Sequence, residues 1–153
     1  NEAQPNRTAM KKSKKPQPAS SAIIERDGRY LLVLRTKPPS DAMYAFPGGR
    51  GEDGETPAET ALRELFEETG IKAEKPLLFA TYDLPGREDG PGSPSFFLSV
   101  FKVKADRDAV AVAADDAASV GWYTAEEIAK LPAPDSVREC IARLEAERLE
   151  TTA

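Results

Sequence analysis

Three glutamates have a spacing that a helix would turn into a cluster of carboxylates. Glu64, Glu67 and Glu68 are three and four residues apart, so on a helix their side chains lie next to one another, and we expect them on the face opposite the apolar residues of that helix. A dense group of oxygen ligands suits a hard divalent cation such as Mg²⁺. A solvated acidic helix face, with no role beyond solubility, is the alternative interpretation.

The composition narrows the chemistry further. The chain has no histidine, which excludes a serine–histidine triad, a cysteine–histidine pair and a histidine-ligated zinc site. If the protein is an enzyme, carboxylates must carry the acid–base work or hold a metal. Glu64 and Glu67 are therefore the candidate catalytic residues.

The residues before this helix fit such a site. Gly48 and Gly49 allow the backbone to approach a neighbour closely, and the carbonyl of Gly48 is a candidate oxygen ligand. Glu55 and Arg63 carry opposite charges and are expected to pair, which would fix the loop against the helix. The structural role of this pair would also be its functional role, because a fixed loop holds the site in place.

The surrounding pattern predicts an α/β fold in which helices cover a mixed sheet. Asp27-Gly28 between two apolar runs indicates a hairpin, whereas Pro47-Gly48-Gly49 is expected not to continue a regular strand. Thr56, with Glu59 three residues later, predicts a helix start, and Gly70 its end. The predicted strands are 21–25, 30–35, 77–82, 95–104 and 120–123, and a short capped helix and a final amphipathic helix, 134–149, follow them.

Length and charge indicate a basic tail and one domain. The chain has 153 residues and a net charge of −5, which suits one domain. We predict a disordered basic tail over residues 1–18, although its lysines could instead touch RNA or an anionic surface, and a domain over residues 19–150. Its acidic body argues against a nucleic-acid groove as the main function.

Other features predict a cytoplasmic protein. No apolar run approaches the roughly 20 residues of a membrane span, and no secretory signal is visible. The chain has one cysteine, Cys140, which fits a reducing compartment and is expected to pack in the core. Val137, Ile141 and Leu144 share its helix at helical spacing. They are expected to pack on the sheet, and a homodimer interface is the alternative.

Residues 49–71 resemble a complete Nudix box. The family pattern is G-x5-E-x7-R-E-U-x-E-E-x-G-U, where U is a bulky aliphatic residue. Every fixed position matches, at Gly49, Glu55, Arg63, Glu64, Leu65, Glu67, Glu68, Gly70 and Ile71. Phe46-Pro47-Gly48 and Gly121-Trp122-Tyr123 extend the resemblance over most of residues 20–145.

The resemblance implies a Nudix-type α/β/α sandwich that hydrolyses a nucleoside diphosphate linked to another group. It implies that Glu64, Glu67 and Glu68, with the carbonyl of Gly48, bind Mg²⁺ or Mn²⁺, and Glu64 is a candidate general base. Asp116 could complete the metal shell or belong to an ordinary acidic turn. The roles of two further residues also stay open. Arg35 could grip phosphate or lie on the surface, and Phe46 could stack on a base, as Tyr44 and Tyr82 could, or pack in the core.

The substrate is less clear than the reaction. Pro85 lies 14 residues after the box, close to the position where ADP-ribose enzymes of the family tend to have a proline. We therefore expect a small-molecule nucleotide substrate, with ADP-ribose or a similar nucleotide sugar first and a (deoxy)nucleoside triphosphate second. A Nudix-like module that senses nucleotides without turnover is the remaining alternative, and such modules usually lack box carboxylates that this chain keeps.

Overall fold

The computed structural model describes residues 15–36, 42–86 and 94–152. Within these ranges, eight strands form two sheets. The strands are β1 (Gln17–Ile23), β2 (Glu25–Arg26), β3 (Arg29–Arg35), β4 (Met43–Ala45), β5 (Gly48–Arg50), β6 (Ala73–Leu84), β7 (Phe96–Ala105) and β8 (Ala117–Thr124). The helices are α1 (Pro57–Thr69), α2 (Ala125–Ile128) and α3 (Asp135–Thr152).

The first sheet is mixed and the second is antiparallel. In the first, the strand order is β5-β1-β7-β6, with β1 parallel to β7 and the other neighbours antiparallel. In the second, β3 pairs with β2, β4 and β8. Because β1 and β2 are separated by Ile24 alone, one stretch of chain contributes to both sheets.

The two long helices cover opposite faces of these sheets. Neighbouring strand residues point to opposite faces, so Leu31 packs in the cluster with α1 and Leu32 in the cluster with α3. The predicted α/β/α layering is confirmed. The residues of α3 that pack on the sheet are the predicted ones, Val137, Cys140, Ile141 and Leu144.

Capping residues set the bounds of α1 as the sequence predicts. The Thr56 side chain accepts a hydrogen bond from the Glu59 backbone N–H, and the Glu59 carboxylate accepts one from the Thr56 N–H. Gly70 has a φ of 77° at the C-terminal end, a left-handed conformation that costs glycine little. Local sequence alone therefore fixes where the helix that carries the glutamates begins and ends.

The chain changes sheets just before the box, which the sequence prediction missed. We expected Pro47-Gly48-Gly49 not to continue a regular strand, and β4 does end at Ala45, but Gly48 and Gly49 begin a strand that we did not predict. After β4 ends in the second sheet, Phe46 and Pro47 redirect the chain, and β5 pairs with β1 in the first sheet. The sequence therefore predicted the interruption of the strand, but it did not predict the start of β5.

The N-terminal boundary is also slightly earlier than predicted. Gln17 and Pro18 belong to β1 and pair with Phe96 and Phe97 of β7, so the ordered domain includes the last two residues of the predicted tail. Residues 1–14, 37–41 and 87–93 lie outside the described residues. Among the helices that are described, none is long and apolar enough to cross a membrane.

Candidate active site

The three glutamates of α1 differ sharply in exposure. The exposed fraction of the side chain is 40% for Glu67, 15% for Glu64 and 2% for Glu68. We predicted all three on the face opposite the apolar residues, and this was wrong for Glu68. The buried face is centred on Ala61 and Leu65, so Glu68 points into the protein towards β5.

Glu68 is a buried carboxylate with two polar partners. Its Oε1 accepts a hydrogen bond from the Gly48 N–H at 3.2 Å and one from Arg35 Nη2 at 3.1 Å. Burial raises the pKa of Glu68 to about 7, and the Arg35 charge and the Gly48 N–H oppose that rise. The negative charge at this position therefore depends on a nearby cation.

Arg35 lies at the same edge as the box, as its place at the end of β3 predicted. Its Nη2 donates to the Gly48 carbonyl at 2.5 Å as well as to Glu68. A register shift after Leu34 places Arg35 opposite Ala117. The Arg35 guanidinium therefore joins β3, β5 and α1.

Arg63 holds the other two glutamates. Its Nη1 donates to Glu64 Oε2 and to Glu67 Oε1, both at 3.1 Å. On its other side, its Nε donates to Glu55 Oε2 at 2.6 Å, and its Nη2 donates to Glu55 Oε1 at 3.0 Å and to the Arg50 carbonyl at 2.9 Å. The predicted pair of Glu55 and Arg63 is present, and its two parallel hydrogen bonds fix the loop before α1 to the helix.

Replacing Glu55 with glutamine should destabilise the fold at pH 7 and flatten its acid unfolding. The hydrogen bond from Arg63 lowers the pKa of Glu55 to about 2. A carboxyl whose pKa falls on folding stabilises the protein above its unfolded pKa of about 4.5, and this contribution is lost as the pH falls towards 2. We expect Glu55→Gln to cost about 1–3 kcal/mol at pH 7.

Urea unfolding at pH 7, 4 and 2.5 measures this effect. The difference between wild type and Glu55→Gln should shrink as the pH falls. Glu74→Gln, on an exposed residue of β6, is the matched control and should behave as wild type. A difference that stays constant across this pH range would contradict the account.

The glycines of β5 are there because the backbone runs against its neighbours. A Cβ on Gly49 would lie 2.5 Å from the carboxylate of Glu64, and one on Gly48 would overlap the Ser20 carbonyl and the Ser21 backbone. Glycine therefore lets β5 approach β1 on one side and Glu64 on the other. Glu64 is partly enclosed, and burial raises its pKa, against the opposing effect of Arg63.

The donor set suits a hard divalent cation. Glu64, Glu67, Glu68 and the Gly48 carbonyl supply oxygen alone, which Mg²⁺ and Mn²⁺ prefer. Among the described residues, no three acidic side chains form a ready metal site as they stand, and Arg35 and Arg63 contact these carboxylates. The residues fit the metal in chemistry, and the ligand set stays a prediction.

A cavity of about 720 Å³ opens beside the glycines of β5. Its polar lining includes Arg35, Gly48 and Gly49 and, at the start of α3, Asp135 and Ser136. Its apolar lining includes Ala45, Phe46, Leu84, Phe96, Leu98, Val100 and Val137. The cavity is large enough for a nucleotide-sized ligand, and its lining combines charged and apolar groups.

The position of Phe46 is compatible with both predicted roles, which are packing in the core and stacking on a base. It is 4% exposed and packs in the core cluster with α3, and it also lines the cavity. Tyr44 and Tyr82 do not line the cavity. Tyr44 packs edge-on against Tyr123 with ring centroids 5.6 Å apart, and the Tyr82 hydroxyl lies 3.3 Å from Cys140 Sγ.

The sequence interpretation missed Phe96 and Arg50. The Arg50 guanidinium lies 5.2 Å from the centre of the Phe96 ring, at the cavity wall. Alternation along β7 groups Phe96 with Leu98 and Val100, and that signal was available. Phe97 lies on the opposite face of β7 and is 43% exposed.

Asp116 is exposed and lines the same cavity. The loop before it is tied to the end of α1, since the Ala114 N–H donates to the Glu68 carbonyl and the Val112 N–H to the Thr69 carbonyl. The structure therefore brings Asp116 to the edge where Arg35 and Gly48 lie. Whether it binds metal stays a prediction.

An α/β/α sandwich that sets an acidic helix against a glycine strand at a cavity is the architecture of a Nudix protein. A family model described as the NUDIX domain matches residues 15–144. The chain belongs to the Nudix hydrolase family, which confirms the resemblance found in the sequence.

Solved structures agree on the fold. A MutT NUDIX hydrolase from Burkholderia pseudomallei is 23% identical with a TM-score of 0.74, covering 84% of this chain and 98% of that one. The ORF135 protein of E. coli is 27% identical with a TM-score of 0.71, covering 90% and 94%.

Curated relatives match over shorter regions. An ADP-ribose pyrophosphatase from Methanocaldococcus jannaschii is 40% identical over 73 residues, which is 48% of this chain and 43% of that protein. An RNA pyrophosphohydrolase from Cereibacter sphaeroides is 44% identical over 69 residues, 41% and 42% of the two chains. The chain thus spans less than half of either relative.

Proposed function

We propose that the protein is a Mg²⁺-dependent pyrophosphohydrolase, with Mn²⁺ as a substitute, acting on a nucleoside diphosphate linked to another group. ADP-ribose or a similar nucleotide sugar is the favoured substrate. The observation that carries this proposal is that Glu68 contacts Gly48 and Glu64 lies beside Gly49, because both glycines line a nucleotide-sized cavity.

The reaction needs charge neutralisation and a positioned water. Water attacks one phosphorus, the phosphoanhydride P–O bond breaks, and ADP-ribose yields AMP and ribose 5-phosphate. A bound divalent cation would neutralise phosphate charge and lower the pKa of water. In this proposal Glu64, Glu67, Glu68 and the Gly48 carbonyl hold the cation, with Asp116 as a further carboxylate at the same edge.

The remaining roles follow from position. Glu64 is the proposed general base, because its carboxylate lies beside Gly49, which lines the cavity. Arg35 also lines the cavity and is proposed to bind phosphate. Phe46 belongs to the apolar wall that would contact the rest of the nucleotide.

Two lines of support favour ADP-ribose. Pro85 has the position described above, and one relative is named as an ADP-ribose pyrophosphatase. A protein that acts on such a nucleotide would work in the cytoplasm without a nucleic-acid or membrane partner. The basic tail and a homodimer belong to the proposal as well, and sedimentation of the full chain tests the dimer.

A substrate panel tests the function. Phosphate release is measured from ADP-ribose, nucleotide sugars, dinucleoside polyphosphates and deoxynucleoside triphosphates, each with Mg²⁺, Mn²⁺ or EDTA, coupled to a phosphatase or pyrophosphatase. We expect metal-dependent turnover that is fastest with ADP-ribose. Faster turnover of the triphosphates would make a triphosphate the proposed substrate in place of ADP-ribose. An absence of turnover across the panel would favour a nucleotide sensor.

A further inference from the structure

The Arg35 guanidinium contacts two oxygens that the proposed metal would need. Its Nη2 donates both to the carbonyl of Gly48 and to Oε1 of Glu68. These two oxygens come from different elements, β5 and α1, and they meet at this one nitrogen. A single positive group therefore lies where a bound cation would share the same ligands.

Two cations cannot use these ligands together. Glu68 is 2% exposed, and a buried carboxylate requires a compensating positive charge. A second positive charge beside the first would be repelled. A divalent cation that binds Glu68 and the Gly48 carbonyl must therefore displace the guanidinium.

The displaced Arg35 side chain has open space beside it. Its side chain is 30% exposed and lines the cavity, so its guanidinium can turn into the cavity without crossing the core. Arg63 also contacts Glu64 and Glu67 through its Nη1, but its Nε and Nη2 are bound to Glu55 and the Arg50 carbonyl, so we expect it to stay in place. The exchange therefore concerns Arg35 and not Arg63.

We propose that Arg35 is a positioning residue that couples metal binding to substrate binding. It pairs with Glu68 and the Gly48 carbonyl until a divalent cation takes these oxygens, and it then turns to a phosphate of the substrate. This inference rests on the proposed function. It implies that metal and nucleotide each strengthen the binding of the other.

The test measures Mn²⁺ binding by electron paramagnetic resonance on the full chain without substrate. Arg35→Gln should bind Mn²⁺ roughly tenfold more tightly than wild type, because no guanidinium competes. Arg50→Gln removes a charge from the same cavity wall without touching Glu68 and should change Mn²⁺ affinity by less than about twofold.

A second arm adds α,β-methylene-ADP, whose P–C–P bridge resists hydrolysis. This ligand should tighten Mn²⁺ binding to wild type by about tenfold and to Arg35→Gln much less, since the released arginine is missing. If Arg35→Gln does not fold, Arg35→Met replaces it. Methionine is a flexible apolar side chain without the charge, so Mn²⁺ should again bind more tightly than to wild type.

Each contrary result has a distinct meaning. Unchanged or weaker Mn²⁺ binding in the Arg35 variants would overturn the exchange while leaving the metal site in place. Equal tightening in Arg50→Gln would show a general charge effect and would also overturn it. Failure of wild type to bind Mn²⁺ would remove the proposed function and this inference with it.

Discussion

Replacing Glu67 with glutamine should lower kcat about a thousandfold and leave the protein folded. Glutamine has nearly the same shape but no charge, so it cannot replace a carboxylate that binds metal. Glu67 is 40% exposed and pairs with Arg63 four residues earlier on the same helix. Loss of that surface pair should cost about 0.5 kcal/mol, too little to unfold the domain.

The measurement is AMP release from ADP-ribose, with thermal unfolding followed by circular dichroism on the same samples. Glu126→Gln is the matched control, because it removes an exposed glutamate from α2, away from α1, and should keep wild-type activity. If Glu67→Gln turned over substrate as wild type does, the acidic face of α1 would be only a solvated surface.

Alanine substitutions at the two glycines of β5 should have different effects, one on stability and the other on activity. In Gly48→Ala, the added Cβ overlaps the backbone of Ser20 and Ser21, which cannot move without disturbing the pairing of β5 with β1. We expect a loss of about 3 kcal/mol in the free energy of unfolding. This variant should therefore unfold at clearly lower urea concentration.

Gly49→Ala should instead lower activity. Its Cβ meets the end of a side chain, the Glu64 carboxylate, which can shift at a cost of about 1 kcal/mol. Moving the proposed base away from its position should lower kcat by about a hundredfold. Equal stability losses in the two variants, or full activity in Gly49→Ala, would contradict the geometry.

Urea unfolding and steady-state kinetics on both variants provide the comparison. Each alanine adds one methyl group at adjacent positions of the same strand, so each variant is the control for the other. The direction of the added Cβ decides the result, since neighbouring strand residues face opposite sides.

Short-range features of this fold were readable in the sequence. The capping box at Thr56 and the left-handed Gly70 depend on residues within one helical turn, and both were predicted with the correct bounds. The pair of Glu55 and Arg63 was predicted from charge and spacing. Such features require no knowledge of how distant segments pack.

Features that depend on packing were not readable in the same way. Glu68 was expected beside Glu67, but the contact of α1 with the sheet decides which side of the helix is buried. Arg35 meets partners that are 13 and 33 residues away in the chain. Only the pairing of strands from two sheets brings these groups to one point.

The composition of the cavity wall also depends on packing and was not readable in the sequence. Its wall combines Phe96 and Leu98 of β7 with Leu84 of β6 and Val137 of α3. Alternation along β7 indicates which residues share a face, but it does not indicate which face borders a cavity. The box therefore predicts the chemistry, whereas the substrate depends on residues outside it.

The most direct test of the account is the initial rate of ADP-ribose hydrolysis as a function of Mg²⁺ concentration, with EDTA as the zero point and products identified as AMP and ribose 5-phosphate. The account predicts a rate that rises from zero in EDTA, saturates with Mg²⁺ and is lost in Glu67→Gln. Hydrolysis that persists in EDTA, or that does not depend on Glu67, would contradict it.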